Sequence, residues 1–129
     1  MPNTNAQAVS QIFFTIFGEP ASKANSRRLV ARAGRPMFIK SQKALDYAGA
    51  FKLQAPDFFH PYECDVKVQM IIYYASRRPD LDESLVLDLL QGVAYLNDRQ
   101  VKEKHICWGL DKDLPRCEIL VTPWSGLTL

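Results

Sequence analysis

The segment from Asp65 to Ala75 reads D-V-K-V-Q-M-I-I-Y-Y-A and is the clearest strand in the sequence. From Val66 to Tyr74 an apolar residue stands at every second position, a pattern typical of a strand that buries one face. The strand leads directly into a charged segment, Arg77 to Glu83, which reads R-R-P-D-L-D-E. Pro79 has no N–H and favours an extended shape in the residue before it, and we expect Leu81 to anchor the turn in the core.

The elements on either side of this strand predict one α+β (α/β) domain, in which two main helices pack on a mixed sheet. A strand from Gln11 to Phe17 is apolar on both faces, which predicts an interior strand or a dimer contact. Ser41 is a suitable N-cap for a helix that runs to about Gln54. The remaining elements are a hairpin from Leu29 to Lys40 that turns around Gly34-Arg35-Pro36, a short helix from Ser84 to Gln91, and closing strands from Val101 to Leu110 and from Arg116 to Thr122.

The length of 129 residues fits a single domain with a modest core. We expect residues 1–10 to form a disordered tail, residues 11–124 the domain, and residues 125–129 a second tail. The first ten residues lack the basic and then apolar pattern of a signal peptide, and no apolar run is long enough to span a membrane. Three cysteines, Cys64, Cys107 and Cys117, fit free thiols in a reducing cytoplasm better than a disulfide scaffold.

Charge is distributed unevenly along the chain, although the net charge is only +2. Residues 20–45 contain no acid and hold seven of the sixteen Lys and Arg residues, so the remainder has nine bases against fourteen acids. A basic segment together with an acidic cluster is typical of a protein that binds a polyanion and places a cation on it. The basic segment alone would favour a solvated arginine-rich loop. The seven bases are Lys23, Arg27, Arg28, Arg32, Arg35, Lys40 and Lys43.

Asp80 and Asp82 form the acidic pair at the centre of the charged segment. In an extended segment, side chains two residues apart point the same way, so these two carboxylates lie side by side. Their mutual repulsion is relieved by a proton or a cation, and oxygen ligands of this kind suit a hard divalent ion such as Mg²⁺. The alternative is that the two acids only begin the helix that follows, where acids and N-caps are common.

A third acid, Asp98, follows the short helix in a polar turn that reads N-D-R-Q. A helix this short allows the turn to return Asp98 to the acidic pair, giving three carboxylates that could hold one or two Mg²⁺ ions. Such ions activate a water and stabilise the charge that develops on a phosphodiester oxygen, and the arginines would hold phosphates bidentately. A zinc site built from His60, Cys64, His105 and Cys107 is disfavoured because the paired C-x-x-C spacing is missing. We expect buried thiols and a surface histidine in its place.

Several motifs in this order resemble one family, the RusA-type Holliday junction resolvases of bacteria and phages. They are P-D-L-D from Pro79 to Asp82, L-D-L-L-Q-G-V from Leu87 to Val93, and Y-L-N-D-R-Q-V from Tyr95 to Val101. Segments G-E-P-A-S-K-A-N-S-R-R (Gly18 to Arg28) and F-I-K-S-Q-K-A-L-D-Y (Phe38 to Tyr47) are similar to that family's opening loop and first-helix start. The resemblance runs from about Ile12 to Thr122.

The resemblance implies a small homodimer that cuts four-way DNA junctions symmetrically with Mg²⁺ or Mn²⁺. The family's catalytic and metal-binding acids fall on Asp80, Asp82 and Asp98. The family commonly reads D-x-D-N-x-x-K, whereas this chain has Glu83 and Val86 at the last two defined places, and its helix segment is slightly shorter. Glu83 could supply a fourth carboxylate, and Lys23, Lys40 or Arg99 could supply the missing cation.

We therefore predict a Mg²⁺-dependent endonuclease that resolves four-way junctions, in the cytoplasm of a bacterium or encoded by a phage. The alternatives are a non-catalytic DNA-binding module of the same fold and a metal-dependent hydrolase of small phosphorylated molecules. A homodimer would bury the apolar strand faces that carry Phe13, Phe17, Ile71 and Tyr73. The predicted DNA-binding residues are Lys23, Arg27, Arg28, Arg32, Arg35, Lys40, Arg77, Arg78 and Arg99.

Overall fold

The computed structural model describes residues 10–22, 27–57 and 60–127, with the exception of the side chains of Arg27, Arg32, Met37 and Phe38. The predicted N-terminal tail falls almost wholly outside these residues. The described elements are β1 (Ile12–Phe17), β2 (Arg27–Arg32), β3 (Arg35–Lys40), α1 (Gln42–Gln54), β4 (Val66–Tyr74), α2 (Ser84–Leu89), a 3-10 turn (Asp98–Gln100), β5 (Val101–Leu110) and β6 (Arg116–Pro123).

Four strands form a mixed sheet in the order β1-β6-β4-β5. Strands β4 and β5 are parallel and are joined through α2, whereas β6 runs antiparallel to both β1 and β4. The strand with the clearest sequence pattern, β4, therefore lies inside the sheet. This arrangement confirms the predicted α+β fold with two helices on a mixed sheet.

The core lies on the sheet face that α1 and α2 cover. Every second residue of β4 from Val66 to Tyr74 is buried, as the alternation predicted. Helix α1 contributes Ala44, Tyr47 and Phe51 to this core, and the Phe14 and Phe51 rings meet edge to face at 6.3 Å. Helix α2 contributes Leu85 and Val86, and Leu90 follows it into the same cluster.

Helix α1 begins where the sequence predicted, because the Ser41 hydroxyl accepts a hydrogen bond from the Ala44 N–H at 3.1 Å. The hairpin β2–β3 turns one residue earlier than expected. Ala33 and Gly34 both adopt positive φ, 51° and 76°, so they form the two-residue turn and Arg32 pairs with Arg35. Pro36 therefore lies within a strand of a separate two-stranded sheet, where a missing N–H is tolerated.

The prediction of an interior position for β1 was wrong, because β1 is an edge strand of the described sheet. Its outer face remains apolar and open, with Phe13 exposed by 56%. The backbone of Phe17, the last residue of this edge strand, is hydrogen-bonded by the end of α1. The Gln54 side chain accepts from the Phe17 N–H at 2.7 Å and donates to the Phe17 carbonyl at 3.0 Å. No helix in the described part of the chain is long and apolar enough to cross a membrane.

Candidate active site

Asp80 and Asp82 lie together on the loop that follows β4, where they line one cavity of about 440 Å³. Part of the cavity wall comes from this loop, and part comes from the segment after β1 and from the first turn of α1. Both acids therefore lie on the wall of the same cavity. The lining residues are Glu19, Pro20, Ser22, Lys43, Tyr74, Arg78, Pro79, Asp80, Leu81 and Asp82.

Two aromatic side chains hold the backbone of this loop. The Tyr74 hydroxyl accepts a hydrogen bond from the Asp82 N–H at 3.2 Å, and the Trp108 indole N–H donates to the Pro79 carbonyl at 3.0 Å. The two rings stack with their centroids 5.8 Å apart. Burial raises the pKa of the Tyr74 phenol, so the hydroxyl remains neutral. These contacts satisfy polar backbone groups that an irregular loop would otherwise leave without partners.

Leu81 does not anchor the loop in the core as predicted, because 37% of it is exposed and it lines the cavity instead. The hydrogen bonds to Tyr74 and Trp108 hold the loop in place of an apolar contact. The physical reason is that Tyr74 is buried on β4 and Trp108 is partly buried on β5, so two side chains of the sheet fix the loop through its backbone.

The Asp82 carboxylate has a local structural role at the start of α2. Its Oδ1 atom accepts hydrogen bonds from the Ser84 N–H at 3.0 Å and from the Ser84 hydroxyl at 2.6 Å. The alternative suggested by the sequence, an acid that begins a helix, is therefore present for Asp82. This role leaves a metal-binding role open, because an ionised carboxylate has about four lone-pair sites.

The two positions that depart from the family pattern have structural explanations. Glu83 forms an ion pair with Lys104 on β5, with Oε2 and Nζ 2.6 Å apart. Val86 is fully buried, with no exposed surface, so a lysine at this position would place an ammonium group in the core. Lys40 and Arg99 do not line the cavity that holds Asp80 and Asp82, and Lys23 lies outside the described residues.

Asp98 lines a second cavity, of about 350 Å³, together with Asp88 and Ser84. The turn that carries it is well defined, because Asn97 and Gln100 form a reciprocal capping box and the Asp98 N–H donates to Gln91 Oε1 at 3.1 Å. Ser84 connects the two cavities, since it lines the second and its hydroxyl donates to Asp82 at the first.

Within the described residues no three or more His, Cys, Asp or Glu side chains are grouped so that they could hold a metal ion. The structure therefore brings Asp80 and Asp82 together, and it places Asp98 in the neighbouring cavity. Convergence of all three acids stays a prediction. The expectation of buried thiols at Cys64 and Cys107 is wrong, because both are exposed.

The basic residues of the hairpin are displayed on a two-stranded sheet separate from the main sheet. Arg28, Arg35 and Lys40 are exposed, whereas the predicted contacts of the Arg27 and Arg32 side chains fall outside the described part of the chain. Three further predicted DNA-binding residues lie elsewhere: Arg77 is exposed, Arg78 lines the first cavity, and Arg99 Nε donates to Asn97 Oδ1 at 3.3 Å.

Sequence reasoning missed Glu19 and Lys43 as residues of the first cavity. Glu19 Oε1 accepts a hydrogen bond from the Ala75 N–H at 2.9 Å, and its Oε2 lies 3.8 Å from Lys43 Nζ. Nothing in the sequence pairs residue 19 with residue 75. Lys43 did carry a signal, because it belongs to the acid-free basic segment and lies in the first turn of a helix with a recognisable N-cap.

Comparison with known proteins gives one finding. The sequence model of a family described as Endodeoxyribonuclease RusA matches residues 18–122, a range that contains both cavities and the hairpin. No curated protein matches the chain.

Proposed function

The chain belongs to the RusA family of endodeoxyribonucleases, and on that basis we propose that it hydrolyses phosphodiester bonds of four-way DNA junctions with the help of a divalent cation. The observation that supports this proposal most strongly is the placement of Asp80 and Asp82 on one cavity. The family acts on branched DNA, so the substrate class follows from membership. The choice of four-way junctions, the paired incisions and the ion are the parts that we propose.

The donor atoms of the first cavity fit a hard cation. Mg²⁺ is usually bound through one or two carboxylates and completes its shell with water and substrate phosphate oxygens, and Mn²⁺ accepts the same ligands. Asp80 and Asp82 supply two such carboxylates, and Asp98 is the proposed third, next to them beyond Ser84. When bound, the cation would make water more acidic and stabilise negative charge on phosphate oxygens.

The protein's own residues position the reacting groups. In the proposed hydrolysis, a water oxygen forms a bond to phosphorus and gives up a proton to the solvent. The bond from phosphorus to the leaving oxygen breaks, and that oxygen takes up a proton from the solvent. Arg78 on the cavity wall is suited to hold the phosphate, because a guanidinium matches two phosphate oxygens. Tyr74 and Trp108 keep the loop in place, which matters because small displacements of reacting groups lower rates strongly.

The exposed hairpin β2–β3 is the proposed contact to the DNA backbone. Three of its basic side chains, those of Arg28, Arg35 and Lys40, are exposed. Exposed lysines and arginines that contact phosphates release counterions from DNA, which favours binding.

A homodimer is the proposed assembly, because two incisions on a four-way junction need two active sites related by symmetry. The open face of the main sheet supports it. Phe13 and Phe17 are exposed there, and Ile71 and Tyr73 on β4 are only half-buried. A second copy would cover this apolar face. The predicted cytoplasmic location likewise stays a prediction.

A non-catalytic DNA-binding module is the second candidate, and the separate cavity of Asp98 is the observation that favours it. Carboxylate-to-amide variants distinguish the two candidates. Asp80→Asn and Asp82→Asn should each abolish junction cleavage while junction binding persists or tightens, because a negative charge near the phosphates is removed. Asp98→Asn tests the third ligand in the same way.

Asp46→Asn is the matched control for this series. Asp46 is exposed on α1 and accepts a hydrogen bond from Gln42, and it does not line either cavity. Cleavage by this variant should match that of the unaltered protein. If Asp82→Asn cuts at the normal rate, Asp82 does not hold the ion. If the unaltered protein and all of these variants bind the junction without cutting it, the chain is a non-catalytic binding module.

A further inference from the structure

Lys43 brings a positive charge from α1 into the cavity of the two acids. It stands in the first turn of the helix, three residues after Lys40 at the end of the basic hairpin. Among the described residues, it is the only lysine that lines the cavity with Asp80 and Asp82. The basic residues of the hairpin are therefore followed along the chain by a lysine that lines this cavity.

The ammonium of Lys43 is loosely held. Its ion-pair partner is Glu19, and the distance of 3.8 Å between Nζ and Oε2 is too long for a hydrogen bond. Glu19 itself is fixed by the backbone, since its other oxygen accepts from the Ala75 N–H at 2.9 Å. The Lys43 side chain is 52% exposed, so its ammonium can reorient toward an anion that enters the cavity.

Charge balance in the cavity favours such an anion contact. Three carboxylates, those of Glu19, Asp80 and Asp82, share the wall with two cations, Arg78 and Lys43. A phosphodiester placed here adds a negative charge next to the acids, which opposes binding unless cations contact it. Arg78 stands on the same loop as the acids, whereas Lys43 approaches from a different element.

We propose that the Lys43 ammonium binds the phosphate that is cleaved, in the cavity lined by Asp80 and Asp82. The inference rests on the proposed nuclease function and assigns a residue to it. The ammonium neutralises charge on a non-bridging phosphate oxygen and strengthens this contact as negative charge develops during hydrolysis. Glu19 is then a positioning residue, which holds Lys43 near the cavity until DNA displaces the pair.

The first test measures the rate of a single round of junction cleavage, at concentrations above the Kd of the complex, so that the junction is bound throughout. Lys43→Gln keeps most of the side-chain length but removes the charge, and we expect the rate to fall by about 100-fold or more, as for loss of one charge-stabilising donor elsewhere. Lys43→Arg should recover part of the loss, and the junction Kd should change far less than the rate. A Lys43→Gln protein that cuts at the normal rate overturns the proposal.

Lys52→Gln is the matched control for this test. Lys52 is exposed in the last turn of the same helix and lines a different cavity. Its replacement changes the net charge by the same amount, so any general loss of DNA attraction appears in both variants. Equal losses of rate in the two variants would show that Lys43 acts only through overall charge, and would overturn the proposal.

A second readout does not depend on cleavage. Lysine acetylation is followed by mass spectrometry in EDTA, with and without intact four-way junction. At a junction concentration about ten times Kd, roughly one tenth of the protein is free, so acetylation of Lys43 should slow about tenfold. Acetylation of Lys52 should not slow. An unchanged rate at Lys43 overturns the proposal, whereas protection in a protein that never cuts would reject the nuclease function and keep the phosphate contact.

Discussion

Replacing Tyr74 by phenylalanine tests how the acidic loop is supported. The substitution keeps the buried ring and its stacking on Trp108, and it removes only the hydroxyl that accepts from the Asp82 N–H. At 3.2 Å this is a long hydrogen bond between neutral groups, so its net contribution is about 1 kcal/mol. The Asp82 N–H is only partly buried, so water can replace the lost partner and the cost should not rise to the level of a fully buried donor.

The expected change in stability is measurable by thermal unfolding. An entropy of unfolding of about 2.1 cal/mol/K per residue gives roughly 0.27 kcal/mol/K for this chain, so a loss of about 1 kcal/mol lowers Tm by about 4 °C. Cleavage should fall by more than stability explains at a temperature where the protein is fully folded, because the loop that carries the acids loses a support. Binding of DNA should change little.

Tyr73→Phe is the control, because Tyr73 is the neighbouring residue on the opposite sheet face and its ring lies 4.0 Å under the Arg116 guanidinium. That contact needs the ring rather than the hydroxyl. The reasoning is refuted if Tyr74→Phe and Tyr73→Phe have the same Tm and the same cleavage rate as the unaltered protein. In that case the hydrogen bond to Asp82 does not hold the loop.

Three further predictions concern DNA binding, assembly and pH. Arg28→Ala or Lys40→Ala should flatten the slope of log K against log salt by about 0.9 for each lost phosphate contact, and an unchanged slope in binding titrations would place the hairpin away from DNA. Light scattering at micromolar concentration should give twice the 14.7 kDa chain mass, and Phe13→Glu should reduce it to one chain; a monomeric mass with and without junction DNA would exclude the dimer. The pKa of Asp111 is lowered, first by the hydrogen bond from Arg116, so its stabilisation is present above the unfolded pKa of about 3.9 and is lost as pH falls through the lower folded value. Asp111→Asn should therefore lower Tm near neutral pH, and the Tm of this variant should fall less on acidification than that of the unaltered protein. If the two curves of Tm against pH are parallel, this assignment is contradicted.

Local signals in the sequence predicted the parts of the fold that depend on near neighbours. The alternation in β4 and the Ser41 cap of α1 both act within a few residues, and both are present as predicted. The position of β1 could not be derived in this way. Its partner is β6, so Ile12 pairs with Val121, and whether Phe13 faces a helix or solvent depends on this distant pairing.

In the candidate site, too, local sequence signals predicted some residues, whereas others depend on distant contacts. Asp80 and Asp82 could be found because they are two residues apart, and their common cavity follows from that spacing. Glu19 could not be found, because it reaches the site through a hydrogen bond to Ala75, 56 residues away. The environment of Asp98 was also beyond local reasoning, since it depends on how the chain after α2 packs beside Asp88.

The most direct measurement of the central claim is incubation of the purified protein with an end-labelled synthetic four-way junction, with Mg²⁺ and then with EDTA. A linear duplex of the same sequence serves as the substrate control. We predict paired incisions in the junction with Mg²⁺, none with EDTA, and little cutting of the duplex. An intact junction at saturating protein and Mg²⁺, bound but uncut, would contradict the claim that this chain is a nuclease.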